Sequence, residues 1–211
     1  FFMEIMQYIQ NSLNLYFGKL NKGYKYIDKE VNWKQAYLIV VSLTIISGII
    51  GILINFTNTF GENPTNLEII GAFIGMIIGV FLGILLGMVI SYGILHLLLR
   101  AFGGTAKFEE TIKYGLSISI FPIIVGIIVR FIPESLVNIN NNPTTPNIII
   151  FTTLALITLI IILWNFIVSI NVYSKLHKID KIKTAFAMIL PLLIVGILLG
   201  LLIIYIKLLV A

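Results

Sequence analysis

Apolar positions in this chain run on without interruption, neither alternating nor confined to one helix stripe. Five such runs, at about 36 to 56, 67 to 102, 112 to 132, 148 to 173 and 184 to 206, are long enough to cross a hydrocarbon layer as helices. Trp33 and Tyr37 stand at the start of the first as interfacial anchors. The second has no charged residue between Glu68 and His96. At 1.5 Å per residue that stretch is about 40 Å of helix, more than the roughly 30 Å of hydrocarbon, so it should tilt, bend or protrude. The third run contains Pro122 and the fifth Pro191, each of which should bend its helix and free a carbonyl one turn earlier. Ser117, Ser119 or neighbouring helices are expected to satisfy the carbonyl freed by Pro122. The pattern predicts an all-α membrane protein with five transmembrane helices.

Before the first run the pattern changes. Phe2, Met6, Ile9, Leu13, Tyr16 and Leu20 recur at a spacing of three or four, with Gln7, Gln10, Asn11 and Asn14 between them. This predicts an amphipathic helix lying in the headgroup region. Residues 1–32 are thus read as an interfacial helix with a basic linker, and 33–211 as the five-helix membrane domain. Met3 reads as the natural start, and no leader peptide is expected.

Inside the second run, Gly71, Gly75, Gly79, Gly83 and Gly87 recur every fourth residue, and Ser91 continues the series. Positions four apart share a helix face, so this is a flat groove roughly 24 Å long. Small residues at this spacing let membrane helices approach closely. Gly196 and Gly200 make a second such pair in the fifth run. The glycine face is expected to pack against protein, first within the chain and otherwise against a second copy. The fourth run carries a polar line, Thr158, Asn165 and Ser169, read as interhelical hydrogen bonding or as the lining of a polar cavity.

Composition sharpens this picture. The 211 residues are 59% hydrophobic and 11% charged, with mean hydropathy +1.06; a soluble domain is about 25% charged. The net charge of +5 points to topology rather than to nucleic acid. Of the 14 Lys and Arg, all but Arg130 and Lys207 fall before the first run, at or between the facing ends of the second and third, or between the fourth and fifth. The positive-inside rule then gives an inner N-terminus and an outer C-terminus. The lysines are expected to attract anionic lipid headgroups as well. Arg130 is expected to snorkel to the outer surface. Asn55-Phe56-Thr57 matches a glycosylation sequon by chance at a membrane edge.

Catalytic constellations are sparse. There is no His-Glu-x-x-His and no Gly-x-Ser-x-Gly. No Asp or Glu lies in a span core, and cysteine is absent. His96 and His177 fall at the same face as Glu109, Glu110 and Asp180, but no short ligand spacing joins them. No metal, cofactor or enzymatic activity is expected.

The stretch from His96 to Thr111, with Gly103-Gly104 followed by Thr105, Phe108, Glu109 and Glu110, resembles the Yip1-domain family of integral membrane proteins. Tyr114-Gly115-Leu116-Ser117, Phe121-Pro122 and the segment from Val172 to Ala185 fit the same pattern. The acidic, Asp-Leu-Tyr-Gly-Pro-like stretch of eukaryotic members is missing, so the chain looks like a prokaryotic-type member. The resemblance implies five spans, an inner N-terminus and no enzymatic activity. It is read here as a scaffold or adaptor in the cell membrane with protein partners, the alternative being a small-solute or ion transporter or channel. On physical grounds, Gly103-Gly104 ends the second span where positive φ is needed. Thr105 is expected to cap the next helix, with Glu109 and Glu110 at its positive end and Phe108 at the interface.

Overall fold

The computed structural model describes residues 2–54, 60, 64–132 and 145–210, with side chains described over 3–54, 60, 64–132 and 148–201. The Asn55-Phe56-Thr57 sequon lies outside these residues. The described residues form seven helices: α1 (Phe2–Asn14), α2 (Leu20–Glu30), α3 (Trp33–Ile54), α4 (Asn66–Ala101), α5 (Phe108–Val129), α6 (Thr145–His177) and α7 (Lys181–Val210). Five helices are long and apolar enough to cross a membrane, namely α3, α4, α5, α6 from Ile148 and α7 to Leu201. Among the described residues there is no strand. α4 begins with a capping box, in which the Thr65 hydroxyl accepts the Glu68 amide at 3.3 Å and Glu68 accepts the Thr65 amide at 2.8 Å. Its 36 residues make about 54 Å of helix, so it overreaches a bilayer as its length predicts.

α5 is the hub. It packs against α1, α2, α3, α4 and α6, while α7 closes the far side against α4 and α6. Residues Thr111 to Ile118 are all buried, which a helix achieves only when neighbours cover every face. Burial is concentrated at one end of the bundle, where the basic connectors lie. One cluster joins Leu15, Tyr16 and Ile27 to Leu99, Tyr114, Val172 and Ala187. The second joins Tyr8 and Val31 to Tyr37, Val40, Met88 and Leu116. Both clusters cross the 32/33 boundary, so α1 and α2 share the core of the spans.

That docking changes the reading of the N-terminal segment. The face turned inward is only partly the apolar stripe: Ile9, Leu13 and Leu20 are half-buried and Tyr16 is buried. Met6 is exposed, whereas Tyr8, Asn11, Ser12, Leu15 and Tyr16 are buried. Tyr8 and Tyr16 turn to α5 because α5 offers a serine and a free carbonyl there, as described below. A stripe count weighs hydrophobicity and cannot see these partners.

The glycine series also departs from expectation. A Cβ built on Gly71, Gly75, Gly79, Gly83 or Gly87 would meet no atom within 4 Å, and the same holds for Gly196 and Gly200. The expected packing of this face within the chain is not what the structure has; α4 turns other residues, such as Met88 and Leu99, toward its neighbours. Ser91 and Gly87 border a cavity of about 310 Å³ between α3, α4 and α5. Arg130 does not simply reach outward: its Nε donates to Ser47 Oγ at 3.1 Å, and its guanidinium crosses Gly51 of α3.

Candidate functional site: a latch of helix ends

Two helices end side by side at the basic end, and both close with the same turn. After α4, the Gly103 amide donates to Arg100 O at 3.0 Å and the Gly104 amide to Leu99 O at 2.9 Å, with Gly103 at φ +94. After α6, the Ile179 amide donates to Ser174 O at 3.1 Å, with Lys178 at φ 56. A left-handed residue just past a helix is the usual way to satisfy its last carbonyls, and glycine fills it at least cost. The first turn has its glycine. The second carries a lysine there and bears the strain of an L-residue.

The turns dock on each other. The Thr105 amide donates to the His177 carbonyl at 3.1 Å, and its hydroxyl approaches the same oxygen at 3.4 Å. Thr105 is therefore not the cap of α5. That position belongs to Lys107, whose amide donates to Glu110 Oε2 at 2.8 Å. Glu110 sits at the positive end of the helix as expected, and Glu109 beside it is exposed. Gly104 is buried against His177: a Cβ there would fall 2.5 Å from His177 Nδ1 and 2.7 Å from Leu99 O. The two glycines thus have separate reasons, positive φ at Gly103 and close approach at Gly104.

Beneath the turns the two histidines share one hydroxyl. Thr111 Oγ1 lies 2.9 Å from His96 Nδ1 and 3.0 Å from His177 Nε2, and donates to Lys107 O at 3.3 Å. A hydroxyl has one proton and two lone pairs. With the proton on the Lys107 carbonyl, both rings donate to Thr111. His177 is fully buried, and its Nδ1 has no hydrogen-bond partner. A proton on Nδ1 would be an orphan donor, so the neutral tautomer fits the site. Phe108 covers the group, its ring 5.4 Å from that of His96. The histidines come together, but through a threonine; among the described residues no group of three His, Cys, Asp or Glu could hold a metal. Glu109 and Asp180 do not join them. The ion pair at this end is Lys113 with Asp28, at 4.0 Å.

A second polar node lies deeper. Pro122 cannot donate to the carbonyl of Ile118. The Tyr16 hydroxyl donates to that oxygen at 2.5 Å and also contacts the Asn165 side-chain amide. One phenol proton serves one acceptor, so the node is complete with the Asn165 amide turned to donate to the Tyr16 oxygen. Phe121 packs against the Tyr16 ring, tilted by 34° with centroids 4.5 Å apart. Burial raises the phenols of Tyr8 and Tyr16 well above their ordinary value, so both remain neutral donors. Tyr8 pairs with Ser117 at 2.8 Å. Tyr24 stacks on Tyr114 at 4.6 Å and carries Lys175 on its ring at 4.4 Å.

The polar line of α6 is split among these tasks. Asn165 reaches Tyr16, Ser169 donates to the Asn165 carbonyl of its own helix at 2.8 Å, and Thr158 borders a largely apolar cavity of about 490 Å³ between α5 and α6. No cavity seen among the described residues is lined by all three. The sequence reading missed Tyr16 and Thr111. The signal for Tyr16 was available: the residue four before Pro122 is Ile118, and its carbonyl had to find a donor.

The Yip1 domain model matches residues 20–204 of the chain. The chain belongs to the Yip1 domain family, a class of multi-span helical membrane proteins. The match includes α2, the latch and the segment entering α7. No curated protein and no solved structure gives a match.

Proposed function

We propose that this protein is a non-enzymatic scaffold or adaptor of the cell membrane, acting through the lysine-rich end of its bundle. The observation that carries the reading is the docking of the Gly103–Thr105 turn on His177. It ties the ends of α4 and α6 to the start of α5, and the Thr105 amide, the His177 carbonyl and the Thr111 hydroxyl are spent within it. Lys107, Lys175, Lys178 and Lys181 stand around it along the chain. Its partners in this reading are the bilayer, anionic headgroups, other membrane or peripheral proteins, and a second copy of the chain. The orientation that goes with it has residues 25 and 180 inside and 60 and 140 outside, which accessibility labelling at those positions tests. Crosslinking and recovery from native membranes tests the role. The parent is expected to retain specific proteins that the inserted Gly104→Val variant loses. Equal recovery by both would overturn the platform, and solute or ion flux in reconstituted vesicles would favour transport instead.

A further inference from the structure

A cleft of about 490 Å³ opens between α1, α2 and the start of α3. Its lining differs in charge from everything around it. The bundle end is rich in lysine, yet no Lys or Arg lines the cleft, whereas Glu4 of α1 and Glu30 of α2 both do. Tyr26 lines the cleft with them. Burial first, then the charges of Glu30 and Glu4, raises its phenol above the ordinary value, so both carboxylates act on one ring. Away from the acids the lining turns apolar along the first span, at Leu38 and Ile39, and the hydroxyl of Ser42 below them is spent on the Leu38 carbonyl at 2.8 Å. Leu38 is 57% exposed, so this end opens sideways, about two turns into a membrane-crossing helix.

We infer that this cleft holds a lipid with an ammonium headgroup, its cation between Glu4 and Glu30 and its chain along Leu38 and Ile39. A volume of a few hundred cubic ångströms, mostly apolar with a few convergent polar groups, is the form of a small-ligand site. Two carboxylates attract a cation and can accept its hydrogen bonds, and Tyr8 and Tyr26 bring aromatic rings to the same lining. An anionic lipid meets repulsion here, although the rest of this end favours it. The inference goes beyond the scaffold reading and does not depend on it.

The test is native mass spectrometry of the full chain in detergent, titrated with dioleoylphosphatidylethanolamine, dioleoylphosphatidylglycerol, phosphoethanolamine and a polylysine peptide. The parent should retain the ethanolamine lipid about tenfold better than the glycerol lipid, the order that two partly exposed charge contacts provide. Glu4→Gln with Glu30→Gln should abolish that preference at an unchanged melting temperature. Leu38→Asn, with both acids intact, should weaken retention of the lipid but not alter the headgroup preference. Equal retention of the two lipids by the parent, or a preference that survives loss of both carboxylates, overturns the inference. Phosphoethanolamine binding as tightly as the lipid would overturn the role of the chain. Carboxylate-dependent binding of polylysine without any lipid preference would replace the lipid by a basic protein segment.

Discussion

Gly104 and Gly79 belong to the same glycine-rich region of the chain and do opposite things. At the lysine-rich end, Gly104 is pressed between His177 and the Leu99 carbonyl, with no room for a methyl group. Gly79, some seven turns of chain away, has nothing within 4 Å. The contrast extends to whole regions. Around Gly104 the helices interlock through tyrosines, a threonine and two histidines, and α5 is buried on all sides. Toward the other end α4, α6 and α7 present Ile, Leu and Val outward, a surface that hydrocarbon can cover. Apolar side chains gain little from leaving lipid for protein, so packing there has no strong hydrophobic drive. Polar groups gain much more, because their alternative is an unpaired donor or acceptor. The bundle is held where it has polar partners and close backbones to offer.

The largest effect that could break this comparison is at Gly104. Gly104→Val should lower stability by about 2–3 kcal/mol through overpacking, read as a fall in melting temperature in detergent. A parent-like melt would mean the latch is not a rigid contact. Next come the hydroxyls. Thr111→Val leaves both histidines and the Lys107 carbonyl without their common partner, and should cost about 1–3 kcal/mol. Tyr16→Phe orphans the Ile118 carbonyl beside Pro122 and should cost about 1–2 kcal/mol. Pairing it with Pro122→Ala, which gives that carbonyl back to its own helix, should recover part of the loss. A double-mutant cycle that shows simple additivity would dissolve the node.

Smaller effects sharpen the picture. Lys178→Gly should raise stability by about 0.5–1 kcal/mol, because glycine takes the left-handed turn without strain; a loss would mean the lysine side chain has a task there. Gly79→Leu should leave the melting of the monomeric chain within about 0.5 kcal/mol of the parent, as for a surface site. Size-exclusion light scattering on the same variant asks whether a second copy uses the stripe. If Gly79→Leu unfolds the monomer as Gly104→Val does, the two regions are not different in kind.

Uninterrupted apolar runs, lysine placement and two internal prolines were enough to read five spans and their order, because length and hydropathy are local properties of the chain. The Gly-Gly turn was legible too, since few residues but glycine tolerate positive φ, and the family resemblance rested on it. What the chain could not show by itself was which faces meet. The glycine stripe looked like a seam, but spacing says only that close approach is allowed, and among the described residues no helix takes it up. The N-terminal helix was legible as amphipathic; that Tyr8 and, just beyond it, Tyr16 reach Ser117 and the carbonyl freed by Pro122 was decided only by the tertiary structure. His96, Thr111 and His177 are scattered along three helices, and only the docking of two helix ends brings one hydroxyl between two rings. Local patterns fixed the elements, while hydrogen bonds between distant residues, scarce and therefore decisive in an apolar bundle, chose their arrangement.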